Sequence, residues 1–492
     1  MVLAQQNGAP RQPLPPRTQA VLDGISANSL RGHLSFLASD LLEGRGTPSR
    51  GLDLAAEYIA AQFRRAGLEA AGDDGYFQTA ELLERQLPKN GTEITIERNG
   101  RRLSIAREDI TPRFEDALEL SGVAMYKADS DDEAALDHLE PEDVRDKVLL
   151  VKLPELNGAG ASEAARRFGV LLRVIRRTKP RLTLMLTLSG LAELDSTLIN
   201  TEVRRNDEPV IMCHSPQVVA WYDLLPRGAT GATLTVRLPT AGKSHVKLHN
   251  VIGLLRGSDA NLRQTYVLVT AHYDHLGMMP AGPGDRIFNG ANDDGSGTVS
   301  VIELASALAT LQPRPKRSIV FLTFFGEEEG TLGSLYYARH PVFPIEETVA
   351  DVNLEQLGRT DATDGVQLAK VTVTGFAYSD LGRTLQAAGA KTGVRVLSDA
   401  ASGEFFTRSD NAPLADQGIP AHTVAVAFEF PDYHTVRDKW QKIDYDNMAK
   451  VDRMIALSLL LLADNPQPPK WNQEEPRAER YWRAWQDHHG PR

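Results

Sequence analysis

The sequence predicts an α/β protein whose larger part is a mostly parallel, twisted sheet flanked by helices. From His249 to about Asp464, apolar β-rich runs such as TYVLVTAHYD and RSIVFLTFFGEEE alternate with segments of helical period. This alternation is typical of buried strands joined by helices that cover the sheet. A separate block at 117–243 repeats the pattern on a smaller scale. It predicts an inserted smaller domain of α/β or β-rich type.

Length and composition limit the classes of protein and of partner. A chain of 492 residues exceeds what one hydrophobic core usually serves, so two or three domains are expected. Lys and Arg number 54 and Asp and Glu 65, which gives a net charge of −11. Nucleic acids and anionic membranes require clustered basic residues, so neither is expected as a partner. No apolar run approaches the ~20 residues that a membrane span needs.

Cysteine usage restricts the chemistry further. Cys213 is the only cysteine, so neither an intrachain disulfide nor a thiolate metal cluster is possible. A metal in this chain must therefore bind to His, Asp or Glu. Cys213 itself is expected to be a small buried hydrophobic residue.

The N-terminal part divides into two segments. Residues 1–17 are rich in Pro, Gln and Arg and predict a flexible lead. We expect the protein to be exported, periplasmic or secreted, with its signal peptide absent from this chain. Residues 18–116 are expected to be the N-terminal part of the catalytic domain. They contain two helical segments, the second ending at Gly67, and an alternating stretch with a hairpin turn at Asn99 and Gly100.

The remaining segments follow in order. In the block 117–243, the apolar strands DKVLLVKL and RLTLMLTL flank a helical segment, and no catalytic cluster is found. Residues 244–464 are expected to form the catalytic domain. Residues 465–492 form a tail that begins with a Pro-rich stretch, and its aromatic residues are expected to pack on their own domain: Trp471, Tyr481, Trp482 and Trp485.

The motif AHYDHLG contains the first candidate site residues. His272 and Asp274 directly follow an apolar strand, and open α/β sheets bind their ligands at the carboxyl ends of strands. Two positions apart on an extended chain, both side chains face the same way. A metal-bound imidazole commonly donates its other N–H to a carboxylate, and Asp274 can accept that hydrogen bond.

Two further motifs supply carboxylates. In NGANDDGSG, Asp293 and Asp294 lie in a glycine-rich turn before a helix, where Asp293 could bridge two metals and Asp294 could be only a helix cap. In FFGEEEGTLGS, three glutamates beginning at Glu327 follow an apolar strand. Burying such a cluster is costly unless a cation or a proton neutralises it. The alternative is an exposed acidic start of a helix.

Two later motifs complete the candidate set. Glu355 ends an apolar strand in VNLEQLG, and Tyr433 and His434 lie in the loop PDYHTVRDKW. Most of the loops that carry these candidate residues follow separate predicted strands, so they are expected to lie at one edge of the sheet. The sequence therefore predicts a two-metal site with five ligands: His272, Asp293, Glu328, Glu355 and His434. This mixed set would accept Zn²⁺, Co²⁺ or Mn²⁺.

The motifs from about 246 to 464 resemble, in order, those of the co-catalytic di-zinc aminopeptidases of metallopeptidase family 28. The segment LSFLASDLLEGRGTPSRGLDLAAEYIAAQF is similar to the leading helices of that family. The block 117–243 resembles the protease-associated domain that many members insert before the catalytic sequence. The resemblance implies a zinc-aminopeptidase-like fold, two Zn²⁺ ions and a peptide substrate.

The resemblance also assigns the metal ligands. It implies that His272 and Glu355 bind one zinc, that Glu328 and His434 bind the other, and that Asp293 bridges them. At the position of Glu355 many aminopeptidases have Asp. Glutamate keeps the carboxylate and adds a methylene, beside the place where an aminopeptidase holds the amino group of its substrate.

Three more roles follow from the resemblance. Glu327 matches the general base, Asp274 would orient His272, and Tyr433 matches a tyrosine that helps to stabilise the oxyanion. The activity implied is hydrolysis of the N-terminal peptide bond by activated water. Pocket walls are expected to include the segments Ser402 to Asp410 and Ala427 to Tyr433. Their four phenylalanines suggest an apolar pocket and could equally be core residues: Phe405, Phe406, Phe428 and Phe430.

Other activities remain open at this stage. A carboxypeptidase, a dipeptidase or another amidohydrolase could use the same site, and Arg408 or Arg437 could then bind a substrate carboxylate. A glutaminyl cyclase normally needs a single zinc, and a non-enzymatic binding protein usually lacks some ligands, so the complete set argues against both. The sequence does not determine the preferred N-terminal residue, the native metal or the oligomeric state.

Overall fold

The structure is a computed structural model that describes residues 13–86, 88, 90–153, 161–187, 197–199, 209–279, 284–398, 403 and 405–490. Most of the predicted flexible lead, residues 1–12, lies outside this part of the chain. Residues 402 and 404, within the predicted pocket segment 402–410, also lie outside it.

Within the described residues, ten strands form the larger sheet, in the order β19-β18-β20-β15-β13-β14-β12-β2-β9, with β1 paired to β12. Their bounds are β1 (Glu69–Ala70), β2 (Phe77–Gln86), β9 (Leu198–Ile199), β12 (Gly242–Leu255), β13 (Tyr266–His272), β14 (Ser318–Phe324), β15 (Thr348–Glu355), β18 (Lys370–Val373), β19 (Arg395–Leu397) and β20 (Ala421–Ala425).

The centre of this sheet is parallel and its flanks are mixed. Strands β14, β13, β15 and β20 pair in parallel, and β13, β14 and β20 are buried along their whole length. Strands β12 and β2 add to one side in antiparallel orientation, and β18 pairs with β20 in the same way on the other. The prediction of a mostly parallel sheet therefore holds for the centre and for the edge pair β18 and β19, which helix α10 joins.

Helices cover the faces of the larger sheet. The first three come from the N-terminal part and the others follow the strands: α1 (Pro16–Gly24), α2 (Ala27–Leu37), α3 (Arg50–Ala66), α8 (Gly297–Ala309), α9 (Leu332–Arg339), α10 (Leu381–Thr392), α11 (Asn411–Asp416), α12 (Tyr445–Asp464) and α13 (Glu479–His489). Helix α3 ends at Gly67, whose φ of 75° is left-handed, as the sequence predicts. Helix α2 begins after Ser26, whose hydroxyl accepts a hydrogen bond from the backbone N–H of Ser29.

The block 117–243 contributes to a second sheet with its own core. Its strands lie in the order β4-β3-β11-β6-β7-β8-β10-β5. Their bounds are β3 (Glu93–Arg98), β4 (Arg101–Ile105), β5 (Ile110–Pro112), β6 (Leu118–Ala128), β7 (Val148–Lys152), β8 (Leu182–Leu186), β10 (Val210–Cys213) and β11 (Gly228–Leu238). Helices α4 (Glu133–Asp137), α5 (Pro141–Val144), α6 (Ala161–Thr178) and α7 (Pro216–Asp223) accompany it, and Cys213 is fully buried.

The second sheet begins at Glu93, earlier than the domain boundary predicted at 117. The predicted Asn99–Gly100 hairpin is present, but its strand β3 pairs with β11, at the far end of the block. Alternation of apolar residues predicts a strand but does not say which strand it pairs with. The hairpin was therefore assigned to the segment 18–116, in which it lies along the chain. Conversely, the short strand β9, inside the predicted block, pairs with β2 of the larger sheet.

The aromatic tail packs on the larger sheet's domain, as predicted. The indole of Trp471 donates to the carbonyl of Gly418 at 2.7 Å and stacks on Tyr481 at a centroid distance of 5.1 Å. Phe406 lies against both rings. A small hairpin, β16 (Asp361–Ala362) and β17 (Gly365–Val366), stands apart from both sheets. Across the described part of the chain, no helix has the length and apolar character that crossing a membrane requires.

Candidate metal centre

The centre lies where the parallel strands end. Strand β13 ends at His272, β15 ends at Glu355, and Glu327 and Glu328 follow β14. Because β14, β13 and β15 are parallel neighbours, their carboxyl ends meet at one edge of the sheet. The strands themselves consist of buried apolar residues, so the first polar side chains after them lie together at that edge.

The glycine-rich turn brings Asp293 to the same edge. Asp438 accepts hydrogen bonds from the backbone N–H groups of Asn292 and Asp293, which fixes the turn. Asp294 accepts from the N–H groups of Gly297 and Gln356, so it caps the following helix and ties it to the end of β15. The cap interpretation of Asp294 therefore fits the structure, while Asp293 remains directed to the site.

The five predicted ligands come together. His272 Nε2 lies 3.5 Å from Asp293 Oδ1 and 3.4 Å from Glu355 Oε1. His434 Nε2 lies 3.0 Å from Asp293 Oδ2 and 3.3 Å from Glu328 Oε2. Two ligand atoms on a tetrahedral zinc, with bonds of about 2.0–2.1 Å, are separated by about 3.3 Å. The spacing of these donors therefore suits small divalent cations on the two sides of Asp293.

Asp274 connects the two groups of ligands. Its Oδ1 lies 3.4 Å from His272 Nδ1, on the side of the ring away from Asp293. The same carboxylate accepts hydrogen bonds from the backbone N–H groups of Glu327, at 3.0 Å, and Glu328, at 3.3 Å. One buried side chain thus lies beside His272 and holds the loop that presents both glutamates.

The glutamate at position 355 has its own support. Ser409 Oγ donates to Glu355 Oε2 at 2.5 Å, and Asn353 Nδ2 donates to Ser409 Oγ at 2.9 Å. All three side chains are buried. The longer side chain is therefore held in one position, and its other oxygen faces His272. Ser409 lies in the predicted pocket segment 402–410, but sequence reasoning identified neither Ser409 nor Asn353 as a support of Glu355.

The sequence analysis also missed His275, although the residue belongs to the motif AHYDHLG. Its ring is buried, and its Nδ1 lies 2.7 Å from Glu328 Oε1. His275, Asp293 and Glu328 each place one donor atom within 4.8 Å of the others. Gly290, with φ of 55°, is required beside this ring, because a Cβ there would lie 2.5 Å from His275 Cγ.

Arg45 is the fourth residue that sequence reasoning missed. Its guanidinium is buried and donates to the backbone carbonyls of four residues: Leu37, Tyr273, Asn289 and Gly290. Arg45 therefore joins the N-terminal helices to the loop after β13 and to the turn before Asp293. Its position in the sequence, after α2, gave no sign of this contact because three of the four bonded carbonyls are more than 200 residues away.

The electrostatics of the centre favour a cation. Although burial acts to raise the pKa of Asp293, its contacts with His272 and His434 hold that pKa well below its ordinary value. Burial likewise opposes the charge of His434, yet Glu328 and Asp293 raise its pKa to about 10. The carboxylates thus draw positive charge onto the imidazoles, which is the charge that metal ions would supply.

Glu327 differs from the other carboxylates. Burial, and then the nearby charges of Glu355 and Glu328, raise the pKa of Glu327 well above its ordinary value, with His272 opposing them. Its Oε2 lies 3.9 Å from His272 Nε2, and its side chain keeps 14% of its exposure. A carboxylate of raised pKa that lines a pocket is a candidate for proton transfer.

Unpartnered buried atoms test whether the site fits metal ions. Within the described residues, Asp293 Oδ2 and Glu328 Oε1 are buried and accept no hydrogen bond of good geometry. Buried polar atoms are normally paired, so such a concentration at one place indicates a missing partner. Oxygen and imidazole donors at these distances fit Zn²⁺ or a similar ion.

A partly open cavity lies beside the donors. Its walls include Phe405 and Phe428, whose rings stack with centroids 4.7 Å apart, and Arg408, which lies over the Phe405 ring. The other two predicted pocket residues, Phe406 and Phe430, are buried in the core instead. Arg408 lines the cavity, whereas the exposed Arg437 pairs with Asp432.

Tyr433 also lines this cavity, next to His434 in the chain. Its ring stacks on the imidazole of His434 with a centroid distance of 3.9 Å. Phe430 also contacts the Tyr433 ring, edge to face, with a centroid distance of 5.9 Å. All eight residues predicted as metal ligands or catalytic residues therefore lie at this edge of the sheet: His272, Asp274, Asp293, Glu327, Glu328, Glu355, Tyr433 and His434.

The architecture is similar to that of solved aminopeptidases. The aminopeptidase from Aneurinibacillus sp. strain AM-1 superposes with a TM-score of 0.59 at 19% identity, covering 92% of this chain and 97% of its own. BSAP, a zinc aminopeptidase from Bacillus subtilis, gives 0.58 at 18% identity, covering 94% and 98%. The fold is therefore the α/β fold of the zinc aminopeptidases.

Sequence comparison finds a family match over less than half of the chain. Residues 250–459 match the model of Peptidase family M28. Aminopeptidase YwaD of Bacillus subtilis is 27% identical over 239 residues, which are 47% of this chain and 48% of that protein. A probable zinc metalloprotease of Pyrenophora teres f. teres is 36% identical over 24% of this chain and 25% of its own. Residues 250–459 are therefore similar to peptidase family M28, and this chain spans about half or less of the length of these curated relatives.

Proposed function

We propose that this protein is a zinc-dependent exopeptidase that hydrolyses the N-terminal peptide bond of peptides. One observation carries the proposal: two groups of ligand atoms share Asp293 and lie beside Glu327 in a partly open cavity. The fold and the names of the relatives, a zinc aminopeptidase and a zinc metalloprotease among them, support it.

The donors divide into two sets. His272 and Glu355 would hold one Zn²⁺, Glu328 and His434 would hold the other, and Asp293 would give one oxygen to each, consistent with its two oxygens facing different imidazoles. When bound, the ions would lower the pKa of a water molecule and polarise the scissile carbonyl. Asp274 keeps His272 in the tautomer whose Nε2 is free for the metal.

Glu327 is the proposed general base. Its carboxylate lines the cavity next to both sets of ligands, and the backbone N–H of the same residue is fixed by Asp274. It would take the proton of the attacking water and return it to the leaving amine. Tyr433 lies across the cavity beside His434, where its hydroxyl would donate to the developing oxyanion.

The charge of the site favours a free amino terminus in the substrate. The cavity walls include four carboxylates, Asp293, Glu327, Glu328 and Glu355, and a peptide ammonium group would be attracted to them. Glu355, held by Ser409, is the carboxylate that would lie beside that group. The stacked pair of Phe405 and Phe428 would then contact the first side chain of the peptide.

A panel of substrates tests this activity. Aminoacyl-arylamides with different side chains would be assayed beside the same compounds carrying an N-acetyl block, with zinc at saturation. We expect cleavage of the free compounds, fastest for apolar side chains, and loss of cleavage on blocking. Cleavage of blocked compounds alone would contradict the aminopeptidase assignment.

A dipeptidase or carboxypeptidase is the second candidate, because Arg408 lines the cavity. A guanidinium there could bind a substrate carboxylate. Under this alternative, Arg408→Ala would raise KM for dipeptides by tenfold or more while leaving arylamides, which have no carboxylate, unchanged. Arg437→Ala is the matched control, since Arg437 is exposed and pairs with Asp432.

A further inference from the structure

His275 is buried in the centre but has no place in the two proposed sets of ligands. Its side chain has no exposure to solvent, and within the described residues neither ring nitrogen makes a hydrogen bond of good geometry. Leaving a buried imidazole unpaired costs free energy. Another buried imidazole of this chain is satisfied: His422 pairs with Ser379 Oγ and with the carbonyl of Thr374.

The surroundings of His275 match those of His272. His272 lies with Asp293 and Glu355, and His275 lies with Asp293 and Glu328, each group consisting of one imidazole, one glutamate and the shared aspartate. The contact between His275 Nδ1 and Glu328 Oε1, at 2.7 Å, brings the ring to the oxygen of Glu328 that accepts no hydrogen bond. His434 reaches the other oxygen of the same glutamate.

The ring of His275 is fixed in this position by its neighbours. Its face packs on Gly290, where any Cβ would collide with the ring, and His434 lies edge to face with it at a centroid distance of 5.7 Å. The backbone N–H of His275 donates to the carbonyl of Arg45, whose guanidinium holds the carbonyl of Gly290. Rotation away from Glu328 would require these elements to move.

We propose that His275 is an additional protein ligand of the metal held by Glu328 and His434. This inference rests on the proposed function, since it requires two metals. That ion would then have four protein ligands: Asp293, Glu328, His275 and His434. The ion held by His272, Glu355 and Asp293 would have three.

Because the two metal positions would differ in their number of protein ligands, we expect them to have different roles. Zinc sites with four protein ligands are typically closed and structural, whereas catalytic sites keep a position for water or substrate. The position with His275 would therefore bind zinc more tightly and fill first. The three-ligand position, beside Glu327, would be the one at which water and substrate exchange.

A crystal structure of the zinc-loaded full chain, with anomalous data at the zinc edge, tests the proposal directly. We expect a ring nitrogen of His275 within about 2.0–2.1 Å of one anomalous peak. Two zinc peaks with both ring nitrogens of His275 beyond 3 Å would overturn the inference and leave the proposed function intact. Fewer than two peaks would overturn both.

Zinc titration against a competing chelator provides a second readout that does not depend on activity. His275→Gln is expected to weaken the tighter of the two zinc equivalents by at least tenfold and to leave the weaker one close to wild type. His422→Gln, a buried histidine with both nitrogens already paired, is the matched control and should retain both affinities. Equal zinc affinities for His275→Gln and wild type would overturn the inference. If His275→Gln does not fold, the crystal structure of the wild type decides.

Discussion

Ser409 Oγ donates to Glu355 Oε2 at 2.5 Å, and this contact holds the one proposed ligand whose side chain is longer than in many aminopeptidases. Loss of a partner that orients a ligand typically lowers metal affinity or activity by about 10–100-fold. We therefore expect Ser409→Ala to weaken one zinc equivalent and lower kcat/KM by about that factor. Zinc titration and steady-state kinetics measure both quantities.

A control is needed because any buried hydroxyl contributes to stability. Ser458 is also fully buried, and its hydroxyl donates to the carbonyl of Met454 within α12. Ser458→Ala should change the free energy of unfolding without affecting zinc affinity. If both variants lost zinc equally, Ser409 would have only a general structural role.

Glu327→Gln tests the general base. The amide keeps the shape of the side chain but cannot take a proton, so kcat should fall by about 10²–10⁴ while two zinc equivalents remain bound. Glu329→Gln makes the same change two residues later, outside the proposed machinery, and should remain close to wild type. Full activity of Glu327→Gln would exclude the role.

Arg45→Lys tests whether the N-terminal helices position the centre. Lysine has three donors and no planar fork, so several of the four carbonyls that Arg45 binds would lose their partner. Each unsatisfied buried group costs about 1–3 kcal/mol, and zinc affinity should fall with stability. Urea unfolding and zinc titration would be measured on the same samples.

Arg317→Lys separates these two effects. Arg317 is buried too, but it bonds Thr265 and Pro466 at the opposite end of β13 from His272. This control should lose stability and keep zinc affinity. Unchanged zinc affinity in Arg45→Lys, with the same loss of stability, would show that Arg45 does not position the site.

The lowered pKa of Asp432 predicts that the free energy of unfolding depends on pH. Burial opposes its charge, but Lys442, Arg359 and Arg437 donate to it and lower its pKa to about 2. Since this is below the unfolded value of about 3.9, the stabilisation is complete above that value and is lost as pH falls toward 2. Asp432→Asn should thus reduce the free energy of unfolding at pH 7, and its difference from wild type should shrink between about pH 4 and pH 2.

The matched control for this titration is Asp223→Asn. Asp223 pairs with Lys152 at 3.3 Å, but both side chains are largely exposed, so the pair contributes little. Chemical unfolding at a series of pH values measures both variants. A difference between Asp432→Asn and wild type that stayed constant down to pH 2 would contradict the assigned role of Asp432.

The sequence predicted those parts of the molecule that follow from local pattern. His272, Glu327, Glu328 and Glu355 could be found because each comes at or after the end of an apolar strand, and parallel strands end at one edge. Asp293 was visible as an acidic residue in a glycine-rich turn. Helix α3 and its end at Gly67 followed from apolar periodicity and a single left-handed glycine.

What the sequence could not predict depends on pairing across long distances. Arg45 contacts the centre through backbone carbonyls, which have no signature in the side-chain sequence. Ser409 becomes part of the site only because α11 packs beside the end of β15. Strand β3 joins the second sheet because β11, far along the chain, is its partner, and alternation alone cannot identify that partner.

Zinc stoichiometry tests the central claim most directly, because every role proposed above depends on two ions sharing Asp293. The purified full chain would be equilibrated with excess zinc, desalted and measured by elemental analysis, beside Asp293→Asn. We predict two zinc equivalents in the wild type and a marked loss of both in the variant. One equivalent or fewer in the wild type, or two equivalents in Asp293→Asn bound as tightly as in the wild type, would contradict the account.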